Sequence, residues 1–501
     1  MSSKISYSDL TKQKYVIPDI LDDKNNIDEF IQLNAEKKII VVQGLGFVGA
    51  VMSIVCANSK NDEYAVIGVD LPSPESYWKI CSINDGVFPV VSSDKKVDKY
   101  FKNTIKKNNF YATYDEYAYS QADAIIVDIN LDVQKKYDHV ASDQAINYSV
   151  NLDGFKKAIK LIGKNCKEDV LILIETTVPP GSTIIAKEIL YKALHERNLS
   201  VNKIKIGHSY ERVMPGPNYI DSIKNFYRVY SGIDKRSADY IEKFLKTIIS
   251  IEKYPLTRLK NTNSTEMAKV LENSYRAMNI SFIVEWTRFA EEAGVDLFEV
   301  VDAIRMRPTH KNIMLPGLGV GGYCLTKDPL LASWSKKNII GSQDLLEISE
   351  SAVSNNDNMP YYAYKIFKSF FNKKDFKGLN IFMLGVSYAP DVGDTRYSPV
   401  ELLSNLLLKN GCKIKFHDPY ISHWNELQAD VSNNFENLND SLDALIISTG
   451  HSFYKNNKNL IDTIMKIKPI LIFDTIGVLT NKEINKLTEK HVVKVIGRGD
   501  I

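Results

Sequence analysis

What this chain lacks first is charge of one sign. Its 63 basic and 61 acidic residues leave a formal net charge of +2 over 501 residues. Nothing in that balance asks for a polyanion, so charge implies no nucleic-acid partner. Cysteine is sparse too. Cys56, Cys81, Cys166, Cys324 and Cys412 are scattered, odd in number and without metal-ligand spacing. That excludes a disulfide framework, gives no ground for a metal site and suits a reducing cytoplasm. No stretch approaches the roughly eighteen apolar residues of a membrane span. Residues 1–15 lack the apolar core of a secretory signal, so the expectation is a cytoplasmic protein with no membrane partner. Low-complexity tracts and short-period repeats are also missing.

What remains is ordinary for a globular protein: 44% apolar and 25% charged residues. The length exceeds one hydrophobic core and predicts two or three domains. Residues 1–36 are polar and mixed. They read as a short extension, helical around 27–33, to which no chemistry is assigned. From residue 37 the pattern is regular. A buried strand over 38–43 runs into Gly44-Leu-Gly-Phe-Val-Gly49 and an apolar helix through Ala57, and a second strand covers 64–70. Short apolar runs recur at 124–127 and 170–174 with helical segments between. Strands alternating with helices predict a parallel sheet covered on both faces. One long helix is expected over 263–293, with Glu266, Lys269, Asn273 and Arg276 on one face and Met267, Val270, Leu271, Ala277 and Met278 at apolar positions. A helix over 297–304 follows, then a Gly/Pro-rich loop, 315–324. A third block repeats the first theme. It has strands at 379–385, 413–417, 444–448 and 470–474 and a helix over 399–410. The expected fold class is α/β, with two Rossmann-like doubly wound domains flanking a central helical region that carries one long helix. The boundaries are 1–36 for the extension, 37–255 and 256–358 for the first domain and the helical centre, and 359–501 for the last domain.

Gly44-x-Gly46-x-x-Gly49 lies between strand and helix, the context that gives the motif meaning. Gly44 permits the tight turn, Gly46 the approach of a pyrophosphate, and Gly49 close helix packing, with Phe47 and Val48 completing the loop. The helix N-terminus offers unpaired N–H groups to phosphates. Asp70 ends the second strand. A carboxylate there accepts from ribose hydroxyls and repels a 2′-phosphate, so NAD is the expected cofactor. A glycine turn with no ligand is the alternative when the strands and Asp70 are left out of account.

Gly319-Val-Gly321-Gly-Tyr-Cys324-Leu-Thr-Lys327-Asp328-Pro329 is the most specific stretch. Glycines let backbone crowd a ligand, and a cysteine beside Lys327 can be a nucleophile. Taken alone, it is more often a small buried hydrophobe. Likewise Lys269 and Asn273 alone would be a solvated helix face, Glu211 a surface carboxylate, and Asp328-Pro329 or Asp418-Pro419 a plain turn.

Context changes these readings. After residue 37 the chain resembles the UDP-glucose/GDP-mannose dehydrogenase family along nearly its whole length. The motifs run in the family's order: Gly-Leu-Gly-Phe-Val-Gly at 44–49, Glu-Thr-Thr-Val-Pro-Pro-Gly at 175–181 and Glu-Arg-Val-Met-Pro-Gly at 211–216. Glu266-Met-Ala-Lys269-Val-Leu-Glu-Asn273, Gly-Gly-Tyr-Cys-Leu-Thr-Lys-Asp at 321–328 and Gly-Asp-Thr-Arg at 393–396 follow. The resemblance implies a four-electron oxidation of the C6 alcohol of a UDP-sugar, with two NAD per turnover, for surface polysaccharide precursors. It makes Cys324 the nucleophile that holds the aldehyde as a thiohemiacetal and then a thioester. Lys269 and Asn273 would face the C6 oxygen and a water, and Asp328 would orient them. Glu211 would be the acid/base of thioester hydrolysis and Thr177 a donor near the reacting centre. Lys327 and Arg396 would reach the cofactor. Arg212, Val213, Leu315, Gly319 and Gly321 would line the sugar site. The resemblance also implies a homodimer or larger homo-oligomer on the long helix, with a basic residue reaching the partner's sugar site; Arg307, His310 and Lys311 are candidates. No metal is implied. The last domain would bind the UDP part, although it has no glycine fingerprint of its own.

Several positions depart from the family. Val127-Asp-Ile-Asn-Leu-Asp132 stands where a Val-Pro-Thr-Pro-like turn is usual. Ser387-Tyr-Ala-Pro390 lacks a lysine, Phe473-Asp-Thr-Ile-Gly477 lacks an arginine, and Pro215 replaces a second glutamate. The 211–216 and 315–322 segments resemble the branch that oxidises N-acetylated hexosamines, while Lys327-Asp328 is nearer the UDP-glucose type. The expected substrate is a UDP-N-acetylhexosamine, with UDP-glucose as the alternative. A two-electron hydroxyacid-type dehydrogenase is the enzyme alternative and would not need Cys324. A nucleotide-binding regulator would not need the Lys269, Asn273, Cys324 and Asp328 set.

Overall fold

A computed structural model describes residues 4–501 apart from 9, 62, 137–146, 214–215 and 372–375. Its contacts divide the chain into two units. One comprises residues 1–134, 149–270 and 334–344, the other residues 135–148, 271–333 and 345–501.

The first unit is built on an eight-stranded sheet. Its strands lie in the order Thr257–Arg258, Val229–Gly232, Lys205–His208, Leu171–Ile174, Ala124–Val127, Lys38–Gln43, Tyr64–Val69 and Phe110–Thr113. Neighbours from Lys205–His208 to Phe110–Thr113 are all parallel. Counted along the chain, these six strands lie 6-5-4-1-2-3, the doubly wound order that leaves a crevice between strands 1 and 4. The sequence explains the burial: Ile-Ile-Val-Val and Ala-Ile-Ile-Val runs are apolar on both faces, as a sheet covered twice requires. Every residue of the helix Gly49–Ala57 is buried.

The second unit repeats the scheme. Its seven-stranded sheet has parallel strands at Ala429–Ser432, Lys413–His417, Asn380–Leu384, Ala444–Ile447, Leu471–Asp474 and Val492–Val495, again in the order 3-2-1-4-5-6, with His423–Trp424 antiparallel at one edge. The two-sheet α/β class expected from the sequence is the observed one. The long helix spans Thr262–Glu292. Among the described residues no helix is long and apolar enough to cross a membrane.

Two findings differ from the sequence reading. Residues ahead of 37 are part of the first unit: Ile5–Tyr7 pairs with Lys14–Val16 in a hairpin, and the helix Lys24–Leu33 buries Ile27 and Phe30 in the core. The short strands Phe110–Thr113, Lys205–His208 and Val229–Gly232 were not expected. Sequences such as KIGH and VYSG carry too little pattern to announce a strand without the neighbours that bury them.

Candidate active site

The glycine turn shows which of its residues the fold itself demands. Gly44 has φ +98°, and a Cβ there would stand 2.1 Å from the carbonyl oxygen of Asp128; on Gly49 it would stand 1.9 Å from the carbonyl oxygen of Gly44. Both positions must be glycine for the turn to close. On Gly46 a Cβ would meet no atom within 4 Å, so the fold itself does not demand glycine there, and the open space suits the close approach of a pyrophosphate. The residues fit a dinucleotide: Gly44, Gly46, Phe47, Val48 and Gly49 surround the N-terminus of the helix Gly49–Ala57, where an anion is favoured. Asp70, half-buried, accepts from the N–H of Leu45 at 3.0 Å and of Leu71 at 2.7 Å, and Lys79 Nζ lies 3.7 Å away. Its carboxylate thus stands directly beside the turn.

On the same unit, the ends of strands Leu171–Ile174 and Lys205–His208 carry Thr177 and Glu211, both buried. Lys269, also buried, donates from Nζ to the Glu211 carbonyl oxygen at 2.8 Å, with Glu211 Oε1 at 3.5 Å. The N–H of Val213 donates to Glu211 Oε2. The guanidinium of Arg212 lies 5.6 Å from both the Tyr210 and Phe226 rings. Met214 and Pro215 of this motif lie outside the described residues. Two residues before each loop position stands a link that the sequence did not announce. Arg228, fully buried, forms an ion pair with Glu175 and donates from Nε to Ser209 Oγ at 3.1 Å and from Nη2 to the Ser209 carbonyl at 3.3 Å. Asp128 is half-buried nearby; desolvation and the charge of Glu211 push its carboxyl well above the usual range, against the pull of Arg228.

The second unit holds the cysteine loop. Cys324 is exposed, whereas Cys56, Cys166 and Cys412 are buried and Cys81 is half-buried. Burial pushes the Cys56 thiol up to about 12 and those of Cys166 and Cys412 to about 11, values that suppress the thiolate. Asp328, four residues on, is fully buried; its Oδ2 accepts from Asn273 Nδ2 at 2.6 Å and its Oδ1 from Lys327 Nζ at 2.7 Å. Tyr323, beside the cysteine, collects two cations: Lys327 Nζ lies 4.6 Å and the Arg396 guanidinium 5.9 Å from its ring centroid. Arg396 is further held by Asp394 at 2.7 Å. Glycines are obligatory here. A Cβ on Gly319 would stand 2.5 Å from the Asn356 carbonyl oxygen, on Gly321 2.7 Å from Tyr388 Cβ, and on Gly322 2.6 Å from the Tyr388 ring. Leu315 is exposed on the approach to the loop. Arg307, His310 and Lys311 are exposed around the short turn Pro308–His310.

The second sheet carries a counterpart of the cofactor turn. Gly385, with φ +93°, follows its first strand as Gly44 follows the first strand of the other sheet. Asp418 ends its second strand as Asp70 does, and accepts from the N–H of Val386 at 2.9 Å. The glycine was missed because a single Leu-Gly-Val has no fingerprint spacing. Asp418 differs in one respect. It is fully buried and also accepts from Ser387 Oγ, the N–H of Tyr420 and His451 Nε2, so its oxygens are spent inside the protein.

A doubly wound parallel sheet whose first turn is a glycine cradle with a carboxylate beside it is the architecture of a dinucleotide-binding domain. Comparison with known proteins makes the class more particular. The UDP-glucose/GDP-mannose dehydrogenase family matches in three successive parts: its NAD binding domain over residues 37–249, its central domain over 263–358 and its UDP binding domain over 382–481. A UDP-N-acetyl-D-mannosamine dehydrogenase of Methanocaldococcus jannaschii is 30% identical over 477 residues, covering 94% of this chain and 98% of its own. One from Campylobacter jejuni is 28% identical over 402 residues, 78% of this chain and 88% of its own. A solved UDP-D-ManNAc dehydrogenase from Pyrococcus horikoshii shares the fold with a TM-score of 0.76 at 24% identity, covering 92% of this chain and 100% of its own. The chain belongs to the UDP-glucose/GDP-mannose dehydrogenase family. It is an NAD-dependent nucleotide-sugar dehydrogenase.

Proposed function

We propose that this enzyme oxidises the C6 alcohol of a UDP-N-acetylhexosamine to the carboxylate in two steps, with Cys324 as the covalent nucleophile. The observation that carries this reading is the exposure of Cys324 on a glycine-crowded loop that runs on into Lys327 and Asp328, which are hydrogen-bonded to each other and, through Asp328, to Asn273. Gly44, Gly46, Phe47, Val48, Gly49 and Asp70 would hold NAD, which would supply the hydride acceptor, a fresh molecule for each of the two oxidations. Loss of hydride and proton from the alcohol gives the aldehyde. The Cys324 thiolate adds to its carbonyl carbon and the oxygen takes up a proton, giving a thiohemiacetal; loss of the C6 hydride and of the hydroxyl proton then leaves a thioester. Water cleaves the thioester, releasing the acid and restoring the thiol. Held as a thiohemiacetal, the aldehyde cannot escape before the second oxidation. Lys269 supplies a cation for the C6 oxygen as its negative charge grows, Thr177 a further donor, and Glu211 takes the proton of the attacking water. Asp328 fixes the Asn273 amide so that its other atoms face the substrate. Lys327 and Arg396 serve the cofactor's charge. Arg212, Val213, Leu315, Gly319 and Gly321 shape the sugar pocket.

The N-acetylhexosamine preference is supported by the 211–216 and 315–322 segments and by the substrates in the names of the relatives. UDP-glucose is the alternative. The functional domains run 37–255, 256–358 and 359–501, with the last taking the UDP moiety. The product is a precursor for surface polysaccharide made in the cytoplasm. The working form is a homodimer on the long helix, where Met267, Leu271, Tyr275, Phe282, Trp286 and Phe289 are all exposed along one face. Arg307 or Lys311 then reaches the partner's sugar.

The test is a panel of UDP-sugars with NAD, followed at the NADH absorbance band and by product analysis. Two NADH per sugar and a uronate are expected, fastest with an N-acetylated hexosamine. One NADH per substrate, with no acid formed, would replace this reading with a simple two-electron dehydrogenase.

A further inference from the structure

Residues 4–34 lie ahead of the part matched by the family's NAD binding domain, yet they touch the cofactor machinery through several ties. Ser6, on the first strand of the N-terminal hairpin, is fully buried. Its hydroxyl donates to the carbonyl of Pro74 at 2.6 Å and accepts from the N–H of Trp78 at 3.0 Å. Those two partners bracket the junction between the loop that leaves Asp70 and the helix Tyr77–Asn84. Tyr15, on the second strand, donates to Asp85 Oδ2 at 3.1 Å, at the other end of the same helix. The hairpin therefore grips this helix at both termini. The helix in turn carries Lys79, whose Nζ lies 3.7 Å from Asp70 Oδ2. A second tie runs through Asp23, whose Oδ2 accepts from Tyr111 at 2.8 Å and Thr113 at 2.6 Å. Thr113 closes the circle, because its carbonyl accepts the N–H of Asp70 at 3.1 Å. Beside the N–H groups of Leu45 and Leu71 that hold its carboxylate, Asp70 thus meets two groups tied to residues 4–34: Lys79 at its side chain and Thr113 at its main chain.

We propose that the N-terminal segment is a positioning device for the adenosine half of the cofactor site, with Ser6 as its key residue. It fixes loop 71–76 and keeps Lys79 on Asp70, which sets affinity for the ADP-ribose moiety. It also keeps the Lys79 cation engaged, so that no spare positive charge welcomes a 2′-phosphate. The inference rests on the reading of Asp70 as the ribose carboxylate.

The test needs no sugar turnover. Full-length enzyme, Ser6→Val, Tyr15→Phe, a deletion of residues 4–18 and Asp70→Ala are titrated calorimetrically with ADP-ribose, 2′-phospho-ADP-ribose and UDP. Thermal unfolding is recorded for each. Ser6→Val removes two hydrogen bonds and is expected to weaken ADP-ribose binding about 3- to 10-fold, to narrow the preference over the 2′-phosphate, and to leave UDP unchanged. The deletion should do more; if it does not fold, the two point variants decide. Unchanged ADP-ribose affinity in Ser6→Val and Tyr15→Phe would overturn the proposal, as would an equal loss for ADP-ribose and UDP. Should Asp70→Ala bind ADP-ribose normally, the ribose reading of Asp70 falls and the proposal with it; a weakened Asp70→Ala beside unchanged Ser6→Val and Tyr15→Phe overturns the proposal alone.

Discussion

Two aspartates at equivalent sites show how one residue type takes different work from its surroundings. Asp70 and Asp418 each end the second strand of a doubly wound sheet, and each receives the N–H that follows a positive-φ glycine. Asp70 is only half-buried, which suits the proposed contact with ribose hydroxyls. Asp418 is closed in by Ser387, Tyr420 and His451. Asp70→Ala is therefore expected to narrow the preference for NAD over NADP, read as the ratio of kcat/KM for the two cofactors; equal use of both by the wild type would refute the assignment. The same logic sorts the thiols. Four are wholly or partly buried with raised pKa, and Cys324 is exposed. Cys324→Ser should abolish net uronate formation, measured as acid product by mass spectrometry; near-normal acid would end the covalent mechanism. Its loop was legible in the sequence because glycine clusters are locally conspicuous. Its exposure was not, because burial depends on chain far away in sequence.

At the level of elements, the long helix was readable in extent but only partly in orientation. Its expected span, 263–293, and the observed Thr262–Glu292 nearly coincide, because 3.6-residue periodicity is a local property. Which face is buried is not local. Glu266, Lys269 and Asn273 point inward, whereas Met267 and Leu271 face solvent, the reverse of what polarity alone suggests. Glu266 is buried because it accepts from the N–H groups of Gly181 and Thr183 at 2.7 Å and so caps the helix Ser182–Glu196. Arg228 joins two further elements, holding Glu175 two residues before Thr177 and Ser209 two residues before Glu211. Arg228→Met leaves the Glu175 carboxylate buried alone and should cost about 3–5 kcal/mol in chemical denaturation. Glu175→Gln with Arg228→Met should recover most of that stability but not kcat, since no guanidinium then sets the spacing of the two loops. If stability and kcat return together, the ion pair is only a structural filler.

For the whole molecule, burial and exposure lead to two expectations, one on acid sensitivity and one on the proposed dimer. Burial holds the His417 imidazole down at about 4, against an ordinary value near 6.5. The unfolded chain then binds a proton that the native state refuses, so between those values stability falls as pH falls. His417→Gln should remove this dependence, lowering the slope of unfolding free energy against pH by about 1.4 kcal/mol per unit in that window. An unchanged slope would mean that the native imidazole already carries the proton. Light scattering at micromolar concentration should give at least twice the 56.8 kDa chain mass, and Trp286→Glu should lower it, because an isologous interface meets each change twice. Arg307→Ala or Lys311→Ala should raise the sugar KM without altering the mass. A fully active monomer would remove both ideas.

The sequence by itself determined the strand and helix periodicities, the glycine turn beside Asp70 and the cysteine loop. Each of these is written in the local steric rules of backbone and side chain. Only the tertiary structure decided that Ser6, Tyr15 and Asp23 hydrogen-bond to the elements around Asp70, that Arg228 links two loops, that Asp418 turns inward, and that apolar side chains lie outside on the long helix. These depend on contacts between residues far apart in the chain, where burial and partner geometry, not spacing, fix what a charge or a thiol can do.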